Sequence, residues 1–223
     1  MAHGSPALRI LKILTADHRV LTTAQISRLL DVPDTSVNRH IAAGVESGLL
    51  VPVRAGVFLN NAPGTSVRPA EAVRYIRTGA IVSLQSVLGD TGVLNNYSPD
   101  VTAIIPLGGA NTGGGGAVQT RCGLFRFYHM NQAQLYAGTT KDRLQCVPYL
   151  AATPEKALLD WIALSGGGHS GLTPPPPHDL DLDALDERRL NRLARAMGIT
   201  EELDVLRESA EKSEEAMRFG RMR

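Results

Sequence analysis

The chain has 223 residues, of which 43% are hydrophobic and 20% charged, with a formal net charge of +1. This composition excludes a wholly disordered chain, and no apolar run approaches the ~20 residues of a membrane-spanning helix. A net charge near zero gives the whole chain no electrostatic attraction for nucleic acid. The charge is, however, distributed unevenly between segments of the chain. Residues 1–60 carry six basic and four acidic side chains, residues 61–150 seven and four, and residues 151–223 ten and fourteen.

Neither the first residues nor the cysteines point to secretion. Residues 1–6 lack the basic and apolar regions of a signal peptide. The two cysteines, Cys122 and Cys146, lack Cys-x-x-Cys spacing. We expect a cytoplasmic protein with reduced thiols, and the sequence leaves a bridge between them open.

Residues 1–62 have the pattern of short helices followed by a hairpin. Apolar residues recur every three to four positions at first, and after Gly48 they alternate as in strands. The order of helix, helix, tight turn, helix and hairpin is that of a winged helix-turn-helix domain. The predicted elements are helices over residues 7–16, from Thr22 or Thr23 to Leu30 and from Asp34 to Val45, a hairpin over 49–59, and a turn-rich end at 60–64.

The third predicted helix carries a polar face that fits a DNA major groove. Its core stripe is Val37, Ile41 and Val45, and the opposite face is centred on Arg39. In helix-turn-helix proteins the N-terminal part of this helix enters the groove. Arg39 is then expected to read guanine and Asn38 adenine. The predicted DNA-binding residues are Thr35, Ser36, Asn38, Arg39 and His40, with Arg54 at the hairpin tip, and Arg9, Lys12, Arg19 and Arg28 as phosphate contacts.

The same residues have a simpler interpretation, a solvated polar face of a small domain that contacts proteins. Asp31 and Asp34 count against DNA binding, because they place negative charge close to the expected phosphates. A segment of net charge +2 also neutralises few phosphates. Dimers or cooperative multimers on repeated half-sites would compensate, and DNA binding remains the favoured prediction.

Residues 63–165 mix helix-like and strand-like runs without regular alternation, which predicts an α+β fold. Pro69 suits the first position of a helix, where its missing N–H costs nothing. Lys156 and Asp160 have the i,i+4 spacing of an ion pair. The predicted elements are helices over 69–77, from a cap at Ser83 to Asp90 and, as an amphipathic helix, from Thr153 onwards, with strands over 101–105, 117–129 and 147–151.

Two stretches of this segment resemble those of a known family. They are Gly79-Ala80-Ile81-Val82-Ser83-Leu84-Gln85-Ser86-Val87-Leu88, followed by Gly92-Val93, and Ala152-Thr153-Pro154-Glu155-Lys156-Ala157-Leu158-Leu159-Asp160. They look like the signature stretches of AbiEi-type abortive-infection antitoxins, which also follow an N-terminal winged helix. The resemblance spans residues 7–164. It implies a type IV toxin–antitoxin component that binds inverted repeats upstream of its own operon, represses that operon, and counteracts a nucleotidyltransferase-like toxin through its second domain.

The second segment also offers a candidate basic surface. Its arginines are expected to extend the DNA footprint or to meet an acidic or nucleic-acid partner. A scattered solvated face is the equally simple alternative, because no local cluster is dense. The residues are Arg74, Arg77, Arg121 and Arg126, with Arg68, Lys141 and Arg143 beside them.

Residues 166–223 predict a linker and two helices. Gly166 to Gly168 and the polyproline run Pro174 to Pro177 form the linker. Amphipathic patterns over about 181–197 and 200–218 predict helices that dock on the middle domain or mediate self-association.

We therefore expect a DNA-binding antitoxin with no enzymatic activity, cofactor or metal. Its expected partners are double-stranded DNA at operator repeats and a nucleotidyltransferase-like toxin, and no membrane. Gly113 to Gly116 lack the Lys-Ser/Thr of a phosphate loop, and residues 63–165 show no acid/base or metal constellation. The alternative is a ligand-responsive winged-helix regulator without a toxin partner. An adjacent gene for a transporter or a metabolic enzyme would favour this alternative.

Overall fold

The computed structural model describes residues 5–96, 98–108, 114–166 and 171–220. Its helices and strands make it an α+β protein, as predicted. The chain divides into two compact units, residues 1–78 with 118–124 and residues 79–117 with 125–223. This division groups residues 63–78 with the N-terminal segment, and the C-terminal helices with the middle one, whereas the sequence predicted segments 1–62, 63–165 and 166–223.

The first two of the three longer helices of the first unit begin at residues whose side chains satisfy free N–H groups. The Ser5 hydroxyl accepts from the N–H of Leu8 at 3.3 Å. Thr22 and Gln25 form a reciprocal capping box at the second helix. Asp31 ends that helix in the left-handed conformation, with φ +50°. The helices are α1 (Pro6–Ile13), α2 (Thr23–Leu30) and α3 (Asp34–Glu46).

Three strands of the first unit form an antiparallel sheet. They are β1 (Val20–Thr22), β2 (Leu50–Arg54) and β3 (Val57–Asn60), in the order β1-β3-β2. β2 and β3 are the predicted hairpin, and β1 is an additional strand. Pro52 lies in an edge strand, where its missing N–H is tolerated, and the pairing register shifts between Pro52 and Arg54.

The core of the first unit lies where the three helices meet the sheet. α3 contacts both α1 and α2, and it approaches α1 closely at Gly44. A Cβ at Gly44 would lie 3.0 Å from Leu50 Cδ1 and 3.2 Å from Ile10 Cγ2. Burial of each large apolar side chain contributes about 1.5–3 kcal/mol. The core residues are Ile10, Leu21, Ile26, Leu30, Val37, Ile41, Leu50 and Phe58.

A short 3₁₀ turn and helix α4 (Val73–Ile76) follow in the same unit. The buried carboxylate of Glu71, in the 3₁₀ turn, accepts hydrogen bonds from the Arg68 N–H at 2.9 Å and from Arg19 Nη2 at 2.7 Å. Arg19 Nε also contacts this carboxylate. Arg19 was predicted as a phosphate contact, and the structure corrects this, because its guanidinium holds Glu71 instead.

A second sheet is mixed and has six strands, in the order β6-β7-β5-β4-β9-β8. The run at 101–105 is a strand, as predicted. Residues 117–129, predicted as one strand, are two strands joined by a turn at Arg121 and Cys122. The strands are β4 (Ile81–Val82), β5 (Val101–Pro106), β6 (Gly116–Thr120), β7 (Gly123–Met130), β8 (Leu144–Cys146) and β9 (Leu150–Ala152).

Six α-helices of the described residues belong to the second unit. Helix α8 packs against α5 and α9, so the intramolecular docking predicted for the C-terminal helices is confirmed. The amphipathic pattern predicted for α8 is wrong, since residues 155–162 are all buried. The predicted cap at Ser83 is also wrong, because α5 begins after Leu84. The helices are α5 (Gln85–Asp90), α6 (Gln132–Leu135), α7 (Thr140–Arg143), α8 (Pro154–Gly166), α9 (Glu187–Met197) and α10 (Thr200–Gly220).

Both cysteines are free thiols. No helix among the described residues has the length and apolar character needed to cross a membrane. Residues 109–113, in the glycine-rich stretch before β6, and residues 167–170, in the predicted linker, lie outside the described residues.

Candidate nucleic-acid interface

The exposed face of α3 carries three of the predicted DNA-binding side chains. Thr35, Asn38 and Arg39 are exposed, and Val37 and Ile41 on the opposite face are buried in the core. The helical period of 3.6 residues produces this division. The face therefore combines a hydroxyl, an amide and a guanidinium, which are groups that bind phosphate oxygens and base edges.

His40 does not belong to this face, and its prediction as a DNA-binding residue is corrected. The side chain is 3% exposed. Its Nδ1 lies 3.2 Å from the Ser36 carbonyl oxygen, and its Nε2 lies 3.4 Å from Arg9 Nη1. Arginine only donates hydrogen bonds, so Nε2 is the acceptor and Nδ1 carries the proton. His40 thus joins α3 to α1.

Two other predicted contacts are used within the unit. Arg9 Nη2 donates to the Leu30 carbonyl at 2.9 Å, which satisfies an end of α2. The Ser36 hydroxyl is half-buried and donates to the Pro33 carbonyl at 3.1 Å. These two side chains fix the positions of helices, and the exposed residues of α3 remain the stronger candidates for DNA contact.

Arg54 lies at the tip of the β2–β3 hairpin and is exposed. The hairpin turn contains Gly56, whose φ of +74° favours glycine. The Gly56 carbonyl accepts from the Thr23 N–H at 3.0 Å, so the tip is attached to the start of α2. Arg28, on α2, is exposed as predicted for a phosphate contact, and its Nε donates to the Ala24 carbonyl at 3.3 Å. Lys12 is also exposed.

Negative charge lies at the turn that leads into α3. Asp31 and Asp34 are both exposed, and Asp34 is the first residue of α3. A carboxylate at a helix N-terminus stabilises the helix. Near DNA the same carboxylates would repel phosphates, which limits the affinity of this interface.

The four arginines predicted as a basic surface of the second segment do not form one cluster in a single unit. Arg74, Arg77 and Arg121 belong to the first unit, and Arg126 belongs to the second. Arg74 stacks on the Tyr75 ring, 4.9 Å from its centroid. Arg77 is half-buried and donates to the Ile76 carbonyl. Arg126 forms a 2.8 Å ion pair with Asp100, whose hydrogen bond raises the pKa of the guanidinium.

A buried polar cluster lies in the second unit, at Ser83, Lys156 and Asp160. Ser83 Oγ donates to Asp160 Oδ2 at 2.7 Å, and Lys156 Nζ forms an ion pair with Asp160 Oδ1, as its spacing predicted. Loss of solvent raises the pKa of the Asp160 carboxyl, whereas Lys156 and the Ser83 hydroxyl oppose that rise. No side chain of the three is more than 2% exposed. A substrate cannot reach them, so the cluster holds the core together.

Ser83 also precedes a strained turn between β4 and α5. Leu84 is fully buried and adopts φ +60°, which costs about 1–3 kcal/mol for a residue other than glycine. Thr102 fixes the residue before it, because its hydroxyl donates to the Ser83 carbonyl at 2.6 Å. Thr102 and Ser86 also exchange backbone and side-chain hydrogen bonds of 2.7–3.0 Å. This role of Ser83 was not predicted from the sequence, because a Ser before a helix looks like a cap.

Within the described residues, no three His, Cys, Asp or Glu side chains are grouped to hold a metal ion. Comparison of the sequence with models of known protein families and with curated proteins gave no match. The functional candidates among the described residues are the exposed side chains of the first unit.

Proposed function

We propose that residues 6–60 form a winged helix-turn-helix domain that binds double-stranded DNA. The observation that carries the proposal is the exposed face of α3, with Thr35, Asn38 and Arg39 opposite a buried stripe. The order α1, α2, tight turn, α3 and hairpin supports the same mode, in which α3 enters the major groove. Arg54 at the hairpin tip then meets the phosphate backbone.

The proposal extends to a repressor and antitoxin of a type IV toxin–antitoxin system. The resemblance of the two stretches around Ser83 and Lys156 to AbiEi-type antitoxins supports this part. In this role the protein binds operator repeats upstream of its own operon and counteracts a nucleotidyltransferase-like toxin, without enzymatic activity of its own. The modest net charge of +2 over residues 1–60 favours dimers or cooperative multimers on the DNA.

DNA binding is tested by fluorescence anisotropy with the region upstream of the operon. Arg39→Ala is expected to weaken operator binding by about 1–3 kcal/mol and to relax base preference at one position. Glu46→Ala, at the last residue of α3, is the matched control and should leave base preference unchanged. Absence of binding by the wild-type protein at low salt would reject the DNA-binding role.

The antitoxin role has a separate test, co-expression with the neighbouring gene. Rescue of growth when that gene is toxic supports the antitoxin. Operator binding combined with a harmless transporter or metabolic neighbour would support the ligand-responsive regulator instead.

A further inference from the structure

The C-terminal segment is acidic in total, but helix α9 presents arginines along one side. Arg188, Arg192 and Arg195 are spaced i, i+4 and i+7, which places them on one face of the helix. All three are exposed. At a rise of 1.5 Å per residue, the row extends over roughly 10 Å.

Helix α7 and the residue that ends α6 lie beside this row. Arg192 Nη2 donates to Asp142 Oδ1 at 2.7 Å, which attaches α9 to α7. Lys141 on α7 is exposed. The guanidinium of Arg143, also on α7, lies over the Tyr136 ring, 5.1 Å from its centroid.

Tyr136 distinguishes this surface from a patch of charged residues alone, because it adds an exposed aromatic ring. Half of this tyrosine is exposed to solvent, and stacking with Arg143 orients its ring. A preoriented, half-exposed aromatic side chain beside several cations provides both parts of a single-strand binding surface, namely a stacking platform and a positive track for phosphates.

We propose that Tyr136, Lys141, Arg143, Arg188, Arg192 and Arg195 form a binding surface for single-stranded nucleic acid. Duplex DNA is disfavoured as the ligand, because its bases are stacked inside the helix and leave the tyrosine without a partner. A single strand offers unstacked bases to Tyr136 and phosphates to the arginines. This activity is additional to the proposed operator binding, and it uses residues of the second unit only.

The acidic groups around this surface limit its strength. Asp142 neutralises part of Arg192, Glu155 pairs with Arg189, and Asp186 accepts from the Arg189 N–H. Glu187 is exposed at the start of α9. Binding is therefore expected to be weak and to depend strongly on salt.

The test is fluorescence anisotropy of the full chain with labelled 12-nucleotide single strands of RNA and DNA, about the site size of one binding module. Tyr136→Ala should weaken binding about 5- to 150-fold, the loss of one stacked base, whereas Tyr136→Phe should retain it. The Arg188→Gln/Arg195→Gln variant should reduce the slope of log K against log salt by about 1.4. Lys212→Gln, on α10, is the matched control and should leave the slope unchanged.

Several results would overturn the inference. Absence of single-strand binding at low salt, equal binding by wild-type protein and Tyr136→Ala, or an unchanged slope in the arginine variant would each reject it. If these variants bind single strands normally but lose the ability to rescue growth beside the toxin, the surface is a protein interface. Operator duplex binding is measured in parallel and should be unaffected by Tyr136→Ala, so failure of one activity is distinguishable from failure of the other.

Discussion

The Ser83 hydroxyl donates a 2.7 Å hydrogen bond to the Asp160 carboxylate, across 77 positions of sequence. The stretches 79–93 and 152–160 therefore meet inside the second unit. Lys156 pairs with the other oxygen of the same carboxylate. Because all three side chains are buried, these residues maintain the fold.

Removal of the Ser83 hydroxyl should destabilise the protein. Ser83→Ala leaves a buried carboxylate without one of its hydrogen bonds, which costs about 1–3 kcal/mol of unfolding free energy. Chemical denaturation monitored by circular dichroism measures the loss. Ser209→Ala is the control, since that hydroxyl donates only to the Val205 carbonyl within α10, and it should cost about 0.5 kcal/mol or less. Equal stability of Ser83→Ala and wild type would contradict the structural role.

Substitution of His40 should affect stability and spare base preference. His40→Gln disturbs the hydrogen bonds to Ser36 and Arg9, with an expected loss of about 1–3 kcal/mol. Asn38→Ala, on the exposed face of the same helix, should show the reverse pattern of normal stability and weakened operator binding. Thermal unfolding and anisotropy measured on both variants separate the two roles. A change of base preference in His40→Gln would return His40 to the interface.

The arginine at the hairpin tip should contribute to affinity without selecting sequence. Arg54→Gln is expected to weaken operator and unrelated duplexes alike, and to lower the salt slope by about 0.9, one phosphate contact. Arg126→Gln is a charge-matched control, because Asp100 already pairs with that guanidinium. An unchanged slope for Arg54→Gln would mean that the hairpin does not touch DNA.

Removal of negative charge at the turn before α3 should strengthen DNA binding. Asp31→Asn retains a residue that tolerates the left-handed conformation, so stability should stay within about 0.5 kcal/mol of wild type. Affinity at low salt should rise by up to about fivefold, since close unit charges in water interact by ~1 kcal/mol. Asp17→Asn, an exposed carboxylate in the turn after α1, is the comparison. No gain, or an equal gain in both variants, would place Asp31 away from the phosphates.

Local signals were sufficient to predict much of the first unit. Thr22 caps α2, and the Ala55-Gly56 turn closes a hairpin, because both effects depend on neighbouring residues. β1 has only three residues and becomes a strand through pairing with β3, which no local pattern reveals. The burial of His40 depends on Arg9, 31 positions away, and a helical wheel of α3 does not contain that partner.

The second unit was harder to predict because tertiary contacts override its patterns. Lys156 and Asp160 look like an exposed ion pair on an amphipathic helix, but α5 and α9 pack on α8 and bury the pair. The net charge of the C-terminal segment similarly concealed the arginine row of α9. The net charge of a segment of 73 residues does not show on which face of a helix its charged side chains lie.

Acid should weaken the attachment of α9 to α7. The hydrogen bond from Arg192 holds the pKa of Asp142 below its ordinary value of about 3.8, and Thr139 contributes to this shift. A lowered pKa means that this stabilisation is present above about pH 4 and is lost as the pH falls further. Thermal unfolding at pH 7 and pH 3 should show a smaller acid-induced loss in Asp142→Asn than in wild type. Asp183→Asn is the control, and identical losses in all three proteins would contradict the assignment.

The hydrogen bond between the Gly56 carbonyl and the Thr23 N–H has a kinetic consequence. The hairpin tip is attached to α2 before the protein meets DNA. The loss of conformational entropy that orders the tip therefore occurs during folding and does not oppose DNA binding. Binding of the first unit to DNA should then be rigid-body docking, without a slow phase of rearrangement. Lifetimes of the complex, measured by stopped-flow dissociation, should respond to lost contacts at Arg54, while association rates respond mainly to ionic strength.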